Sequence, residues 1–112
     1  MATPPARIHL GGEGEEPGVL NQQGPWVLDP NWRSSRGSKT LTELLAQGHA
    51  FVIADNLHLP FASDYFGEVI TNAVPIDFAT HLGSGVQSSE IRRILKPGGV
   101  WIDNRTVRYV KP

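Results

Sequence analysis

The stretch Ala54-Asp-Asn-Leu-His-Leu-Pro-Phe61, followed by Glu68-Val-Ile-Thr-Asn72 and by Ser89-Glu-Ile-Arg-Arg-Ile-Leu-Lys-Pro-Gly-Gly-Val-Trp-Ile102, decides the fold. In order, it predicts the end of a strand, a loop, a second strand, a helix, a glycine turn and a third strand. An alternation of strands and helices is typical of a parallel sheet. We therefore expect an α/β fold with a mostly parallel sheet and few helices.

The same motifs in the same order resemble the second half of class I S-adenosylmethionine-dependent methyltransferases. In that family an acidic residue that closes a strand precedes a Leu-Pro-Phe loop, and a later helix ends in Leu-Lys-Pro-Gly-Gly before the next strand. The resemblance covers residues 49–103, with a weaker echo at Ile8-His-Leu-Gly-Gly-Glu-Gly14. It implies a reduced Rossmann-like, class I methyltransferase-like sheet whose cofactor is S-adenosylmethionine.

The length of 112 residues leaves room for one domain. Residues 1–6 have neither apolar surface nor periodicity, so we expect a disordered lead-in there and a single methyltransferase-like domain over residues 7–112. Ten Lys and Arg against eleven Asp and Glu give a net charge of −1, which is no strong signal for nucleic acid. The chain has no Cys, so disulfides and cysteine-based zinc sites are excluded and the redox compartment stays open.

The sequence shows no membrane or export signal. No apolar run approaches the about 18 residues that span a bilayer, and the first residues lack a charged head followed by an apolar stretch. We therefore expect a cytoplasmic protein without a membrane partner.

The first half of the chain predicts short elements separated by loops. Arg7–Leu10 is expected to be a strand that enters a glycine turn, while Val19-Leu20 and Trp26-Val-Leu28 are apolar pieces that fit a strand and a loop. Thr40 and Glu43 form a capping-box pattern, which predicts a helix over about 41–47.

The second half predicts most of the sheet. Phe51-Val-Ile-Ala54 is a continuous apolar run, as expected of a strand covered on both faces. Ser84 and Gln87 form a second capping-box pattern, and the stripe Val86, Ile91, Ile94 and Leu95 predicts an amphipathic helix that Pro97 ends. Lys96-Pro-Gly-Gly99 is then expected to turn the chain into a strand at 100–102, and 103–106 to join it to a strand at 107–110 as a hairpin.

One spacing departs from the family pattern. Only four residues separate Gly14 from Val19, whereas a crossover between neighbouring parallel strands ordinarily needs a dozen or more. The helix that follows the first glycine loop in the family therefore has no room here, and we expect a reduced version of the fold.

The resemblance implies a cofactor site at two places. Gly11, Gly12 and Gly14 stand where a glycine loop lets the backbone approach the methionine part of the cofactor, although a tight turn at a strand end also explains them. Asp55 matches the position whose carboxylate accepts from the adenine amino group, with Asn56 and Leu57 beside the ring. The alternative is that Asp55 only caps the following turn.

The ribose position departs from the family. An acidic residue is expected at the end of the second strand, but the best aligned residues are Asn21 and Gln22, and Asp29 lies several positions beyond. A neutral amide forms a weaker hydrogen bond to a hydroxyl than a carboxylate does. The departure predicts a lower affinity for the cofactor.

The loop after the Glu68–Thr71 strand is the candidate catalytic segment. Asn72, Pro75 and Asp77 form a loose version of the polar loop that accepts hydrogen bonds from a target nitrogen in family members that methylate amino groups. His81 is a candidate base because the pKa of a histidine lies near neutrality. A simple exit from the strand into a loop explains the same residues. The sequence predicts no metal site, and methyl transfer needs mainly alignment of the nucleophile.

Three functions follow as hypotheses. The first is methyl transfer from S-adenosylmethionine to an unidentified acceptor; the second is a cofactor-free methyltransferase-like binding or assembly module. The third is the toxin tip of a bacterial polymorphic toxin, delivered by a larger carrier, since the Val-Pro-Ile-Asp77 and Ser-Glu-Ile-Arg-Arg-Ile-Leu-Lys96 patterns resemble such tips. Uncovered sheet edges also predict a homodimer, with Trp101 and Tyr109 at its interface.

Overall fold

A mostly parallel sheet of six strands and two α-helices build the described part of the chain, which is residues 6–77 and 85–112 of a computed structural model. The elements in chain order are β1 Arg7–Leu10, β2 Leu20–Gln23, a 3₁₀ helix Pro25–Leu28, α1 Leu41–Ala46, β3 Ala50–Ile53, β4 Phe66–Thr71, β5 Ile76–Asp77, β6 Val86–Gln87, α2 Ser88–Ile94, β7 Leu95–Asp103 and β8 Thr106–Val110. The prediction of an α/β fold with few helices is confirmed.

The strand order of the main sheet is β3-β2-β1-β4-β7-β8. All neighbours pair in parallel except β7 and β8, which form an antiparallel hairpin. β5 and β6 form a separate parallel pair. The carboxyl ends of β1, β2, β3, β4 and β7 therefore lie along one edge of the sheet, and this edge carries the candidate site.

The main apolar core lies between the sheet and α2. Ile8, Val69 and Trp101 stand side by side in register on the three central strands. The buried cluster consists of Ile8, Leu10, Leu59, Phe66, Val69, Val86, Ile91, Ile94, Leu95 and Trp101. Ala6, the last residue of the predicted lead-in, accepts from the Gly67 N–H at 2.9 Å and packs on this core.

Two of the sequence motifs bind each other. The Arg93 guanidinium donates to the Leu59 and Phe61 carbonyls at 2.9 and 2.7 Å, and the Glu90 carboxylate accepts from the Leu59 N–H at 2.9 Å. Arg93 also pairs with Glu90, and its guanidinium holds the pKa of that carboxyl below its ordinary value. The Ser-Glu-Ile-Arg-Arg helix thus holds the Leu-Pro-Phe loop against the core.

The capping box of α1 is confirmed. The Thr40 hydroxyl accepts from the Glu43 N–H, and the Glu43 carboxylate accepts from the Thr40 N–H, both at 3.1 Å. The helix covers Leu41–Ala46, close to the predicted 41–47. The hairpin turn between β7 and β8 is also present, with Asn104 and Arg105 at its tip.

The second predicted capping box does not start α2. The helix begins at Ser88, its N-terminal cap residue Gln87 makes no side-chain cap, and Val86 belongs to β6 rather than to the helical stripe. Ser84 lies outside the described residues. Leu95 is already extended and buried, so α2 ends before Pro97. Lys96-Pro-Gly-Gly99 is part of β7, not a turn before it, because Gly98 and Gly99 pair with Lys111.

Two further predictions about the strands are wrong. β3 is an edge strand with no fully buried residue, whereas the sequence predicted cover on both faces. Asn21, Gln22 and Gln23 form most of β2 and are buried, whereas the sequence predicted this strand at the apolar pair Val19-Leu20. Trp26-Val-Leu28 is 3₁₀-helical.

Trp101 is not available to an interface. Its side chain is only 3% exposed and its indole N–H donates to the Thr71 hydroxyl at 2.9 Å, so it belongs to the core. Tyr109 is partly buried against the same core. The edge strand β8 instead exposes Val107 and Val110.

We expect Ile91→Ala to lower the free energy of unfolding by about 2–5 kcal/mol, because Ile91 is 0% exposed and its loss leaves a cavity under the sheet. The matched control Leu45→Ala removes an apolar side chain that is 49% exposed and should cost well under half as much. Urea denaturation measures both. Equal losses of unfolding free energy in the two variants would contradict the assignment of Ile91 to the core.

Candidate functional site

A cavity of about 450 Å³ opens at the carboxyl ends of β1, β2 and β4. Its walls are Gly11, Glu13, Glu15, Gln22, Gln23, Trp26, Ser35, Arg36, Asn56, Asn72, Ala73, Val74, Pro75 and Val86. Polar groups from several loops converge there, as in most ligand sites of open α/β sheets. We call it the carboxyl-end cavity.

A second cavity of similar size, about 460 Å³, lies at the opposite edge of the sheet. It is lined by the starts of β1, β2 and β4 and by the loop Pro60–Ala62, with mostly apolar side chains. The carboxyl-end cavity is the better candidate site because it brings together both carboxylates and amides, which can orient a polar ligand.

Gly11 closes β1 and forms part of the cavity wall. Its φ of +73° favours glycine, and a Cβ there would lie 2.5 Å from the Val74 side chain. Its N–H donates to the Gln22 backbone carbonyl at 2.8 Å and lies 3.3 Å from the Gln22 side-chain oxygen. The glycine is thus needed for the turn and for close approach to a neighbouring loop of the same chain.

The other two predicted glycines are also packed against side chains of this chain. A Cβ on Gly12 would collide with Asn21 and His9, and one on Gly14 would meet the His49 ring. Neither forms part of the cavity wall. The loop 11–19 carries no helix, as predicted, yet it joins two neighbouring parallel strands over a shorter path than usual.

The buried amides of β2 fasten the loops to the sheet. Gln22 Nε2 donates to the Ala54 carbonyl at 2.8 Å and to Asn56 Oδ1 at 3.1 Å, so it fixes the loop after β3. Asn21 Nδ2 donates to the Ala50 carbonyl, and Gln23 Nε2 donates to the Gly12 carbonyl. The residues at the predicted ribose position therefore already hold backbone partners.

The charged and aromatic groups of the wall come from segments that the sequence analysis did not assign to the site. Glu13 and Glu15 lie on the loop after β1, and Arg36 lies on the loop before α1. The Trp26 side chain is 52% exposed, and its indole N–H is fixed by Gln23 Oε1 at 3.0 Å. The alternation of glycine with glutamate over 11–16 was the available signal for the acidic wall.

His9 is the buried ionisable group behind this wall. Its side chain is 0% exposed, Glu15 Oε1 lies 3.5 Å from its Nε2, and neither ring nitrogen has a hydrogen-bond partner among the described residues. Burial lowers the pKa of His9, and the nearby Glu15, Glu16 and Glu13 carboxylates only partly oppose that effect. His9 is therefore held neutral at physiological pH beside an acidic loop.

The structure brings one of the three predicted adenine residues to the cavity. Asn56 is in the wall, while Asp55 and Leu57 are not. Asp55 Oδ1 accepts from the Leu57 N–H at 2.9 Å, which is the turn-capping role that the sequence left open as the alternative.

Of the predicted catalytic residues, Asn72 lines the cavity. Its Nδ2 donates to Glu16 Oε1 at 3.4 Å, and its Oδ1 is buried without a hydrogen-bond partner in the described part of the chain. Pro75 also lines the cavity. Asp77 ends β5, where its backbone pairs with Gln87 of β6. His81 lies outside the described residues.

Within residues 6–77 and 85–112 no group of three or more His, Asp or Glu side chains has the geometry of a metal site. In the same residues no helix has the length and apolar character needed to cross a bilayer. The comparisons with known proteins give no assignment: no family model matches the chain, and no curated protein matches it.

We expect the free energy of unfolding to fall as the pH drops below about 6.5, because the unfolded chain then binds a proton at His9 that the folded chain does not. The loss ends once the pH passes the lowered pKa of the folded state, and its slope is at most about 1.4 kcal/mol per pH unit.

Urea titrations at pH 5 to 8 measure this pH dependence, and His9→Gln should flatten it. His58→Gln, a change outside this buried site, is the control and should keep it. A His9→Gln protein with the same pH dependence as the parent would show that His9 is not the titrating group.

Proposed function

We propose that this chain is a domain of the class I methyltransferase type that binds S-adenosylmethionine in the carboxyl-end cavity and transfers its methyl group. The observation that carries the proposal is the position of the cavity. It lies where the chain, after placing β2 and β3 on one side of β1, returns to place β4 on the other. Ligands of doubly wound sheets bind at this topological switch point.

The strand order supports the Rossmann-like part of the proposal. The first four strands follow the order 3-2-1-4 of a dinucleotide-binding sheet, with β7 next and parallel. The antiparallel β8 is the edge strand on that side of the sheet. In residues 6–77 and 85–112 the α-helices are α1 before β3 and α2 before β7, so this would be a minimal form of the fold.

The walls of the cavity suit a cationic nucleoside. S-adenosylmethionine supplies a methyl group on a positively charged sulfur, which is already activated for transfer. The charged residues of the wall are Glu13, Glu15 and Arg36, so the two carboxylates outnumber the one guanidinium and favour a positive charge in the cavity. The exposed Trp26 ring offers a flat apolar face for a base, and Asn56 lines the same cavity. Asn72, on the loop after β4, lines the same cavity, which supports a role for it in holding the acceptor.

A cofactor-free binding module is the second candidate, favoured by two observations. Asn21, Gln22 and Gln23 already bond to this chain's own backbone, so a ribose would have to compete for them. The space above Gly12 and Gly14 is likewise filled by side chains of the chain. Such a module would keep the sheet and leave the nucleoside site unused.

Titration calorimetry with S-adenosylmethionine separates the two candidates. The enzyme-like domain should bind one equivalent, and Trp26→Ala should weaken binding by about 1–3 kcal/mol, since that is the usual loss when an aromatic platform under a base is removed. Trp32→Ala is the matched control because Trp32 is not in the wall. Absence of binding by the parent protein would favour the cofactor-free module.

The acidic wall makes a separate prediction about charge. Glu15→Gln keeps an oxygen that can accept from the Glu13 N–H but removes the negative charge. It should weaken binding of S-adenosylmethionine by about 0.5–1 kcal/mol and should change binding of the uncharged thioether S-adenosylhomocysteine less. Equal effects on the two ligands, measured by calorimetry, would contradict a role of Glu15 in holding the cation.

A further inference from the structure

A groove of about 200 Å³ opens beside the carboxyl-end cavity. The two share Glu15, Arg36, Asn72 and Ala73, and the tip of the β7–β8 hairpin, Asn104 and Arg105, completes the groove. A ligand in the cavity and a ligand in the groove would therefore be neighbours that contact the same residues.

Two guanidinium groups line this groove, those of Arg36 and Arg105. Both residues are exposed, and neither side chain forms an ion pair or hydrogen bond with another described residue. The other arginines near the sheet differ, since Arg7 pairs with Glu68 and Arg108 with Asp103. Arg36 and Arg105 are thus free to bind an anion, for which guanidinium is the best-suited side chain.

Arg105 occupies a backbone conformation that does not suit arginine. Its φ is +68° and that of Asn104 is +48°, the left-handed pair of a two-residue hairpin turn. Asparagine is favoured at the first of these positions and glycine at the second, so an arginine at the second is strained. Strain of this kind is concentrated at functional sites.

The hairpin tip is also held firmly at the site. The Asn104 N–H donates to the Thr71 carbonyl at 2.8 Å, and Asn104 Oδ1 accepts from the Ala73 N–H at 2.7 Å. Both bonds join the tip to the end of β4, next to Asn72. The backbone of Arg105 is therefore fixed beside the loop that we propose for acceptor binding.

We propose that Arg36 and Arg105 bind the oxyanion of the methyl acceptor, a carboxylate or a phosphate on a small molecule. That the bound anion is the methyl acceptor rests on the proposed function. That the groove binds an anion rests on the groove alone. The acceptor's nucleophilic group would then lie beside the residues that the groove and the cavity share, near Asn72.

The surroundings favour a small acceptor over a nucleic-acid strand. Glu15 is part of the same groove, Glu13 and Glu16 lie on the same loop, and the net charge of the chain is −1. A small ligand with one anionic group needs only this groove, whereas a chain of phosphates would meet the acidic loop.

The test uses inorganic phosphate and, separately, malonate as probes, titrated into the protein and followed by amide chemical shifts. Arg105→Gly and Arg36→Gln should each raise the dissociation constant of the more tightly bound anion about tenfold, since each removes a charge-assisted hydrogen bond. Arg92→Gln, on the outer side of α2, is the control and should bind as the parent does. Tighter binding of phosphate would indicate a phosphate acceptor, and tighter binding of malonate a carboxylate acceptor.

Arg105→Gly should also raise the melting temperature by roughly a few degrees, because glycine relieves the positive φ. This gain in stability together with a loss of anion binding is the expected signature. A variant that melts lower than the parent, or that binds the anions equally well, would overturn the assignment of Arg105.

Two competition experiments complete the test. Phosphate and S-adenosylhomocysteine should bind together; displacement of one by the other would place the groove inside the cofactor site and overturn the acceptor role. A single-stranded oligonucleotide that binds more tightly than phosphate would overturn the small-molecule assignment. Anion binding without any binding of S-adenosylmethionine would contradict the proposed function and leave the anion site standing.

Discussion

The parallel pairing of β1 with β2 on one side and β4 on the other is the constraint on which the rest of the structure depends. Ile8 lies opposite Leu20 and Val69 in register, and this row continues to Trp101 on β7. Because the strands run the same way, the loops after them meet at one edge. The glycine turn at Gly11, the amide anchors of β2 and the Asn72 loop all follow from that geometry.

The architecture was largely readable from the sequence. The predicted strand Glu68–Thr71 lies within β4, Ile91 and Ile94 of the predicted stripe lie in α2, and Thr40 with Glu43 marks the start of α1. The motifs of the opening stretch also have a shared structural role, since Glu90 and Arg93 bind the loop at Leu59. Their order therefore reflects contacts within the fold as well as any likeness to a family.

The site was less predictable, for two physical reasons. Hydrophobic pattern cannot mark a strand such as β2, whose Asn21, Gln22 and Gln23 are buried because their amides bond to neighbouring loops. In addition, the sequence does not show which loops are neighbours in the folded chain. Trp26 and Arg36 lie on separate segments, and both line the cavity. Asp55 was the opposite case, since its position in the motif was clear but its carboxylate caps a turn. The homodimer and the toxin setting stay predictions.

The central claim is that a nucleoside-type ligand binds at the carboxyl edge of the sheet. The most direct measurement is a map of backbone amide shifts on titration with S-adenosylhomocysteine. The account predicts that shifts concentrate at Gly11, Gln22, Gln23, Asn56 and Asn72, which line one cavity. Shifts concentrated instead around Arg7, Leu20 and Phe61, at the opposite cavity, would contradict it.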